Sequence, residues 1–80
     1  MVDQVKKRLW KFTIDHLGYT RTVEYAWTDW PQEKITELLH MYKNKEILLT
    51  VQYYHKNKWV TYDRIYWSPD DQVYWSANLD

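Results

Sequence analysis

The chain has 80 residues, of which eleven are basic and eleven acidic, so its formal net charge at pH 7 is zero. This length predicts one domain over residues 1–80, and the neutral balance disfavours nucleic-acid binding, which usually needs excess positive charge. The chain has no cysteine and no long apolar segment, so we expect a cytoplasmic protein without disulfides, thiolate zinc sites, a signal peptide or a membrane span.

Two segments near the N-terminus alternate between apolar and polar residues in the way of half-buried strands. They cover residues 8–16 and 20–28, and Leu17-Gly18 between them predicts a turn. The alternation assigns six apolar side chains to the inward side: Trp10, Phe12, Ile14, Val23, Tyr25 and Trp27. The sequence therefore predicts an N-terminal hairpin.

A helix is predicted over residues 30–43. Asp29 can accept hydrogen bonds from free first-turn amides, and a proline in the first turn, here Pro31, costs no internal hydrogen bond. Asn44, which tolerates a left-handed conformation, predicts the end of the helix. The spacing i, i+3, i+4, i+7 defines one buried stripe, which consists of Ile35, Leu38, Leu39 and Tyr42.

Three strands are predicted after the helix, over residues 46–55, 58–67 and 72–79. The first of them points Ile47, Leu49, Val51 and Tyr53 inward, and Lys56-Asn57 reverses the chain after it. The facing of the next strand stays open, because Trp59 and Ile65 share one side with Asp63 while Val60, Tyr62 and Tyr66 share the other with Arg64. A bulge that switches faces, or apolar contact on both sides, would explain this pattern. The segment 68–71 predicts a turn before the last strand.

The predicted element order ββαβββ indicates an α+β fold, a five-stranded antiparallel sheet with one helix packed on one face. The second and third strands must run in the same direction if the helix carries the chain back across the sheet. The first strand then lies between them, which predicts the strand order 2-1-3-4-5. A helix of about 14 residues is roughly 21 Å long and cannot cover five strands about 4.8 Å apart, so part of the sheet stays open.

The residues predict neither catalytic chemistry nor a bound group. Ser68 and Ser76 have no neighbouring acid–base motif, and one glycine cannot form a phosphate-binding loop. Glu37 and His40 have the i, i+3 spacing of a helical metal site, but a single helix lacks the matching ligands and a solvated face is the simpler interpretation. We expect no enzyme, no cofactor and no metal site.

The chain is rich in aromatic residues, with six Trp, eight Tyr and one Phe. Rings beyond what a one-sided core encloses are candidate contact points on the surface. We expect the open face to carry Lys11, Thr13, Thr22, Glu24, Thr50, Gln52, Tyr54, Tyr74 and Ser76. The candidate partner-binding residues are Tyr54, Tyr62, Arg64, Tyr66 and Tyr74. They predict a module that binds another protein, or a second copy of itself, through a sheet face or edge; an ordinary solvated face is the alternative.

Basic residues are expected to gather at one end of the sheet, where the first strand starts and the third strand turns into the fourth. The possible anion-binding residues there are Lys6, Lys7, Arg8, Lys56 and Lys58. Together with the sheet tyrosines they give the alternative hypothesis, binding of single-stranded nucleic acid. Its weakness is the neutral overall charge, and solvated turn lysines are the simpler interpretation of the cluster.

Overall fold

A computed structural model describes residues 6–16, 20–69 and 73–76 of the chain. Within these residues it contains an antiparallel sheet and one helix, as the α+β prediction required. The elements are β1 (Arg8–His16), β2 (Arg21–Thr28), α1 (Gln32–Met41), β3 (Ile47–His55), β4 (Lys58–Ser68) and the short β5 (Val73–Ser76). No helix in the described part of the chain is both long and apolar enough to cross a membrane.

The first four strands lie in the order β2-β1-β3-β4, which confirms the prediction for these strands. Neighbouring strands are antiparallel. β3 is antiparallel to β1 because α1 carries the chain from the end of β2 back to the opposite end of the sheet, where β3 starts. The backbone of β5 pairs with the end of β4. The rest of the predicted last strand, 72–79, lies outside the described residues, as do the predicted turn at 17–18 and residues 70–71 of the other turn.

The core lies between α1 and one face of the sheet. Its buried members are Trp10, Phe12, Ile14, Ile35, Leu38, Ile47, Leu49, Val51 and Ile65, with Leu39, Tyr42 and Tyr53 packed against them. The inward residues predicted for β1 and β3 and the helical stripe are therefore confirmed. We call this side of the sheet the helix side, and the opposite side the outer face.

The helix is shorter than predicted at both ends. Pro31 is the N-cap residue and no side chain caps the helix, so the prediction that Asp29 caps it was wrong. Instead the N–H of Trp30 donates to Oγ1 of Thr28 at 3.2 Å, which fixes the turn before the helix. The helix ends at Met41, ahead of the predicted stop at Asn44.

The predicted facing of β2 was wrong. Val23, Tyr25 and Trp27 are exposed on the outer face, whereas Glu24 lies on the helix side, where its Oε1 is 2.8 Å from Nζ of Lys34. The reason is the register with β1. Ala26 lies opposite Trp10, whose buried indole already fills the inward space, so small and polar residues suit this side of the edge strand.

A bulge in β4 explains the facing of this strand, which the sequence left open. Val51 lies opposite Asp63 and Gln52 opposite Thr61, so Tyr62 is an extra residue between them. The alternation therefore shifts by one at Tyr62. The outward positions of β4 are Trp59, Thr61, Arg64 and Tyr66, and the inward ones include Val60, Ile65 and Trp67.

Candidate functional site

Four aromatic side chains from three strands lie close together on the outer face. We call Tyr25, Trp27, Tyr54 and Trp59 the outer aromatic patch. Trp27 is 65%, Tyr25 58% and Tyr54 43% exposed, while Trp59 is half-buried beside them. The patch therefore presents large rings to solvent on the side of the sheet that α1 does not cover.

Contacts within the patch centre on Trp59. Its ring centroid lies 5.2 Å from that of Tyr54 and 6.1 Å from that of Tyr25. Nζ of Lys11 lies 4.4 Å from the Trp59 ring centroid, within the range of a cation–π interaction. Trp59 thus connects Tyr25, Tyr54 and Lys11, and Trp27 lies two residues beyond Tyr25 on the same side of β2.

The register explains why residues so distant in sequence meet here. Lys11 in β1 lies opposite Tyr25 in β2 and Gln52 in β3, and Trp59 lies opposite Tyr54. The polar side chains of Lys11 and Gln52 thus lie between the aromatic residues of β2 and those of the β3–β4 hairpin. The Trp59 ring extends over the central strands toward Tyr25.

The predicted partner-binding residues divide between the two sides of the sheet. Tyr54, Arg64 and Tyr66 occupy outward positions, and the hydroxyl of Tyr66 donates to a carboxylate oxygen of Glu46. Tyr62 lies instead on the helix side, where its ring packs edge-on against Trp10 at 5.2 Å. The side chain of Tyr74 is outside the described part of the structure.

Sequence reasoning missed Tyr25, Trp27 and Trp59. The alternation in β2 fits either facing equally well, so periodicity alone could not have assigned Tyr25 and Trp27. One signal was available: a single short helix leaves the edge of a sheet uncovered, and rings on an edge strand are the first that the core cannot enclose.

The five predicted anion-binding residues lie at one end of the molecule. Lys6 and Lys7 precede β1 and Arg8 begins it. Lys56 lies in the turn between β3 and β4 and Lys58 begins β4, at the same end of the sheet as the start of β1. We call these five residues the basic end. None of the three ion pairs among the described residues involves any of them.

Two of these cations have a defined local setting. The Arg8 guanidinium lies 4.6 Å from the ring centroid of Tyr53. Lys56 and Asn57 both have positive φ, 51° and 66°, as a two-residue type I′ hairpin turn requires. The tight turn holds the backbone of Lys56 at the tip of the hairpin, beside the Tyr54 end of the outer aromatic patch.

Negative charge is scarce at the outward positions. Within the described residues of β1 to β4, Asp15 is the one carboxylate at such a position, and its Oδ1 accepts a hydrogen bond from Nε of Arg21 at 2.7 Å. This hydrogen bond raises the pKa of Arg21. The pair lies at the opposite end of the sheet from Trp27 and Tyr54, so it does not neutralise the cations near the patch.

A groove of about 320 Å³ lies at the same end of the molecule but on the helix side. It is lined by Lys6, Arg8, Trp10, Asp29, Trp30, Pro31, Tyr53 and Tyr62. Trp10 is held in this lining, because its Nε1–H donates to the carbonyl oxygen of Thr28 at 3.0 Å. Trp30, 60% exposed, therefore belongs to a surface separate from the outer aromatic patch.

The described residues offer little for metal binding. Glu37, one of the two helical residues with metal-ligand spacing, lies 3.7 Å from Nζ of Lys34. Among the described residues no group of three His, Cys, Asp or Glu side chains is arranged to hold a metal ion.

Comparison of the chain with protein-family models, with curated proteins and with solved structures finds no match.

Proposed function

We propose that this chain is a protein-binding module whose partner docks on the outer aromatic patch. The observation that carries the proposal is the exposure of Trp27 and Tyr25 on a sheet face that the helix leaves open. Trp and Tyr are enriched at the energetic centres of protein interfaces, and contiguous exposed apolar patches mark interaction sites. We assign the module to the cytoplasm, because a chain without cysteine needs no oxidising compartment.

The arrangement of the patch supports binding without much rearrangement. Trp59 is in contact with Tyr25, Tyr54 and Lys11 before any partner arrives. Side chains that are already ordered lose less conformational entropy on binding. The half-buried Trp59 thus serves as a support for the more exposed rings around it.

The charges around the patch define the chemistry of the partner. Lys11 lies within the patch, and Lys56 lies in the turn beside its Tyr54 end. The outward carboxylate of Asp15 is engaged by Arg21. A complementary surface combines apolar side chains at its centre with Asp or Glu at its rim. We therefore propose an acidic protein surface as the partner.

Single-stranded nucleic acid is the second candidate, and the contact between Lys11 and Trp59 favours it, since cations beside aromatic rings bind phosphates and bases together. Two observations favour protein instead. The rings of Tyr25 and Tyr54 are tilted by 43° and 67° against Trp59, so they pack on one another instead of forming a flat platform. The neighbouring Val23, 40% exposed, adds aliphatic surface that bases cannot stack on.

The first test compares two tryptophans of similar exposure. Trp27 is in the patch and Trp30 is on the helix side, so Trp27→Ser and Trp30→Ser remove the same ring from different surfaces. Immobilised unmodified chain and both variants are incubated with a lysate of the source cells, and retained proteins are quantified. We expect a protein that the unmodified chain and Trp30→Ser retain and Trp27→Ser does not.

The purified partner then gives a quantitative result. Loss of a central interface tryptophan costs about 2 kcal/mol or more, roughly a 30-fold rise in Kd, whereas Trp30→Ser should leave Kd within about twofold. Identical retention by all three proteins would contradict the proposal. So would tight, salt-sensitive binding of a single-stranded oligonucleotide that depends on Trp27, because that outcome assigns the patch to nucleic acid.

A further inference from the structure

The edge strand β2 is long, regular and open. All its residues pair with β1 without a shift of register, and it contains no proline. Within the described residues no strand pairs with the side of β2 that faces away from β1. Its backbone therefore presents a row of N–H and C=O groups that another strand can pair with.

The devices that usually protect such an edge are weak here. Proteins commonly place charges, prolines or bulges on edge strands to prevent pairing. The inward charge of β2 is Glu24, and Lys34 pairs with it at 2.8 Å. The outward side chains Val23, Tyr25 and Trp27 are apolar and exposed. These features are those of a strand that pairs with a partner strand.

We propose that two copies of this chain join through antiparallel pairing of their β2 strands, about a twofold axis at Tyr25. In this register Tyr25 lies opposite Tyr25 of the second copy, and Val23 lies opposite Trp27 of the second copy. Aromatic pairs and aromatic–β-branched pairs are among the favourable cross-strand neighbours. All of these contacts lie on the outer face.

The side chains on the inward side of β2 favour this register over the two adjacent registers, whose axes lie at Glu24 and Ala26. With the axis at Tyr25, Glu24 lies opposite Ala26 of the second copy and no carboxylates meet. An axis at Glu24 would place the two Glu24 side chains directly opposite each other, which is unfavourable. An axis at Ala26 would pair only residues 24–28 of each copy, whereas the axis at Tyr25 pairs residues 22–28.

Charge at the ends of the paired segment agrees with the same register. Arg21, which also pairs with Asp15 of its own chain, comes opposite Asp29 of the other copy at both ends of the twofold arrangement. Each copy uses its own β2 edge to cover the other, so the assembly closes at two copies. The inference goes beyond the protein partner proposed above and does not rest on it, although it joins the two outer aromatic patches into one surface.

The absence of cysteine makes the register directly testable by single cysteine substitutions. Tyr25→Cys should form a disulfide, or a bridge with a short dithiol reagent, between the two copies. Ala26→Cys tests the competing axis at Ala26 without removing a charge, and Met41→Cys, 56% exposed on α1, measures random collision. We expect Tyr25→Cys to bridge at least about tenfold faster than both, because neighbours within a dimer react at a high effective concentration.

A mixing experiment tests the pairing away from the axis. Neither Val23→Cys nor Trp27→Cys should bridge efficiently alone, whereas an equimolar mixture should give a heterodimer bridged between the two positions. Light scattering and sedimentation of the unmodified chain should give twice the chain mass of 10.0 kDa. Both measurements use the full chain without any partner.

Several results would overturn the proposal. These are a monomer mass at the concentrations of the bridging experiment, bridging of Tyr25→Cys no faster than that of Met41→Cys, or faster bridging of Ala26→Cys than of Tyr25→Cys. A monomer mass is also what we expect if β2 pairs with a strand of a different protein instead of a second copy, so that alternative contradicts the proposal as well. Tyr54→Ser separates the two proposals, because β3 is remote from the edge: this variant should weaken partner binding and leave the mass unchanged.

Discussion

Lys34 connects the helix to the edge strand through its side-chain ammonium group. Nζ lies 2.8 Å from a carboxylate oxygen of Glu24 and 3.7 Å from one of Glu37. The hydrogen bond with Glu24 raises the pKa of Lys34 and outweighs the opposing effect of burial. The folded state therefore holds this proton more tightly than the unfolded chain does.

We expect a double-mutant cycle with Lys34→Gln and Glu24→Gln to give a coupling energy of about 0.5 kcal/mol at pH 7, in the range of partly exposed ion pairs. Since the folded-state pKa of Lys34 is raised, this stabilisation is fully present below the ordinary pKa of 10.5. It is lost as the pH rises through the folded-state value. Urea unfolding of the four proteins at pH 8 measures the coupling energy with Lys34 charged, and unfolding above pH 10.5 measures it as Lys34 loses its proton.

Lys43→Gln is the matched control for this cycle, because no described ion pair involves Lys43. It should change the free energy of unfolding little at either pH. A coupling energy that stays constant as the pH rises above 10.5 would show that charge is not what joins Lys34 to Glu24.

Among the secondary-structure elements, the β3–β4 hairpin carries a conformational cost in its turn. Lys56 and Asn57 both adopt positive φ. Asparagine tolerates this region, whereas lysine there costs about 1 kcal/mol relative to extended or helical backbone. The sequence Asn-Gly is the preferred pair for a type I′ turn.

The double substitution Lys56→Asn with Asn57→Gly should therefore raise the free energy of unfolding by about 0.5–1 kcal/mol. In a domain of this size it corresponds to a rise in Tm of roughly 2–8 °C. Thermal unfolding followed by circular dichroism measures it. Lys58→Asn removes the same charge from extended backbone and should give no stabilisation; an equal rise in Tm from that variant would point to charge repulsion as the cause.

The elements differ in how far the sequence could predict them. β1, β3 and α1 each have one apolar side that faces the core, so periodicity fixed both their type and their facing. β2 was assigned to the wrong side because both sides of an edge strand fit the pattern. Its facing depends on the register with β1, which places Ala26 opposite Trp10. The bulge at Tyr62 could not be located, since the bulged position depends on the pairing with β3.

The candidate site was predictable in outline and not in detail. An open sheet face and a basic end follow from composition and topology, and both Tyr54 and the five cations lie where they were expected. Tyr25 and Trp27 were missed with the facing of β2, and Trp59 with that of β4. Contacts that depend on two strands at once could not be read from either strand alone.

The whole molecule has one covered and one open sheet face, and its thermal stability should reflect this. If two copies pair through β2, unfolding includes dissociation, and Tm must rise with protein concentration. A tenfold increase should raise Tm by about 4 °C, given the unfolding entropy typical of 80 residues.

Calorimetry over a hundredfold range of concentration measures this dependence. Met41→Ser, which alters an exposed apolar residue outside the sheet, should leave the slope unchanged. A Tm independent of concentration would indicate that each copy unfolds alone.

The bulge in β4 also has a consequence for the coding sequence. Without Tyr62, the two halves of the strand are in phase: Trp59, Thr61, Arg64 and Tyr66 fall on one side, and Val60, Asp63, Ile65 and Trp67 on the other. Tyr62 therefore behaves as a one-codon insertion in an otherwise regular strand. An in-frame deletion of that codon leaves each neighbour on its side of the sheet, whereas deletion of the codon before it moves the Tyr62 ring from the helix side to the outer face.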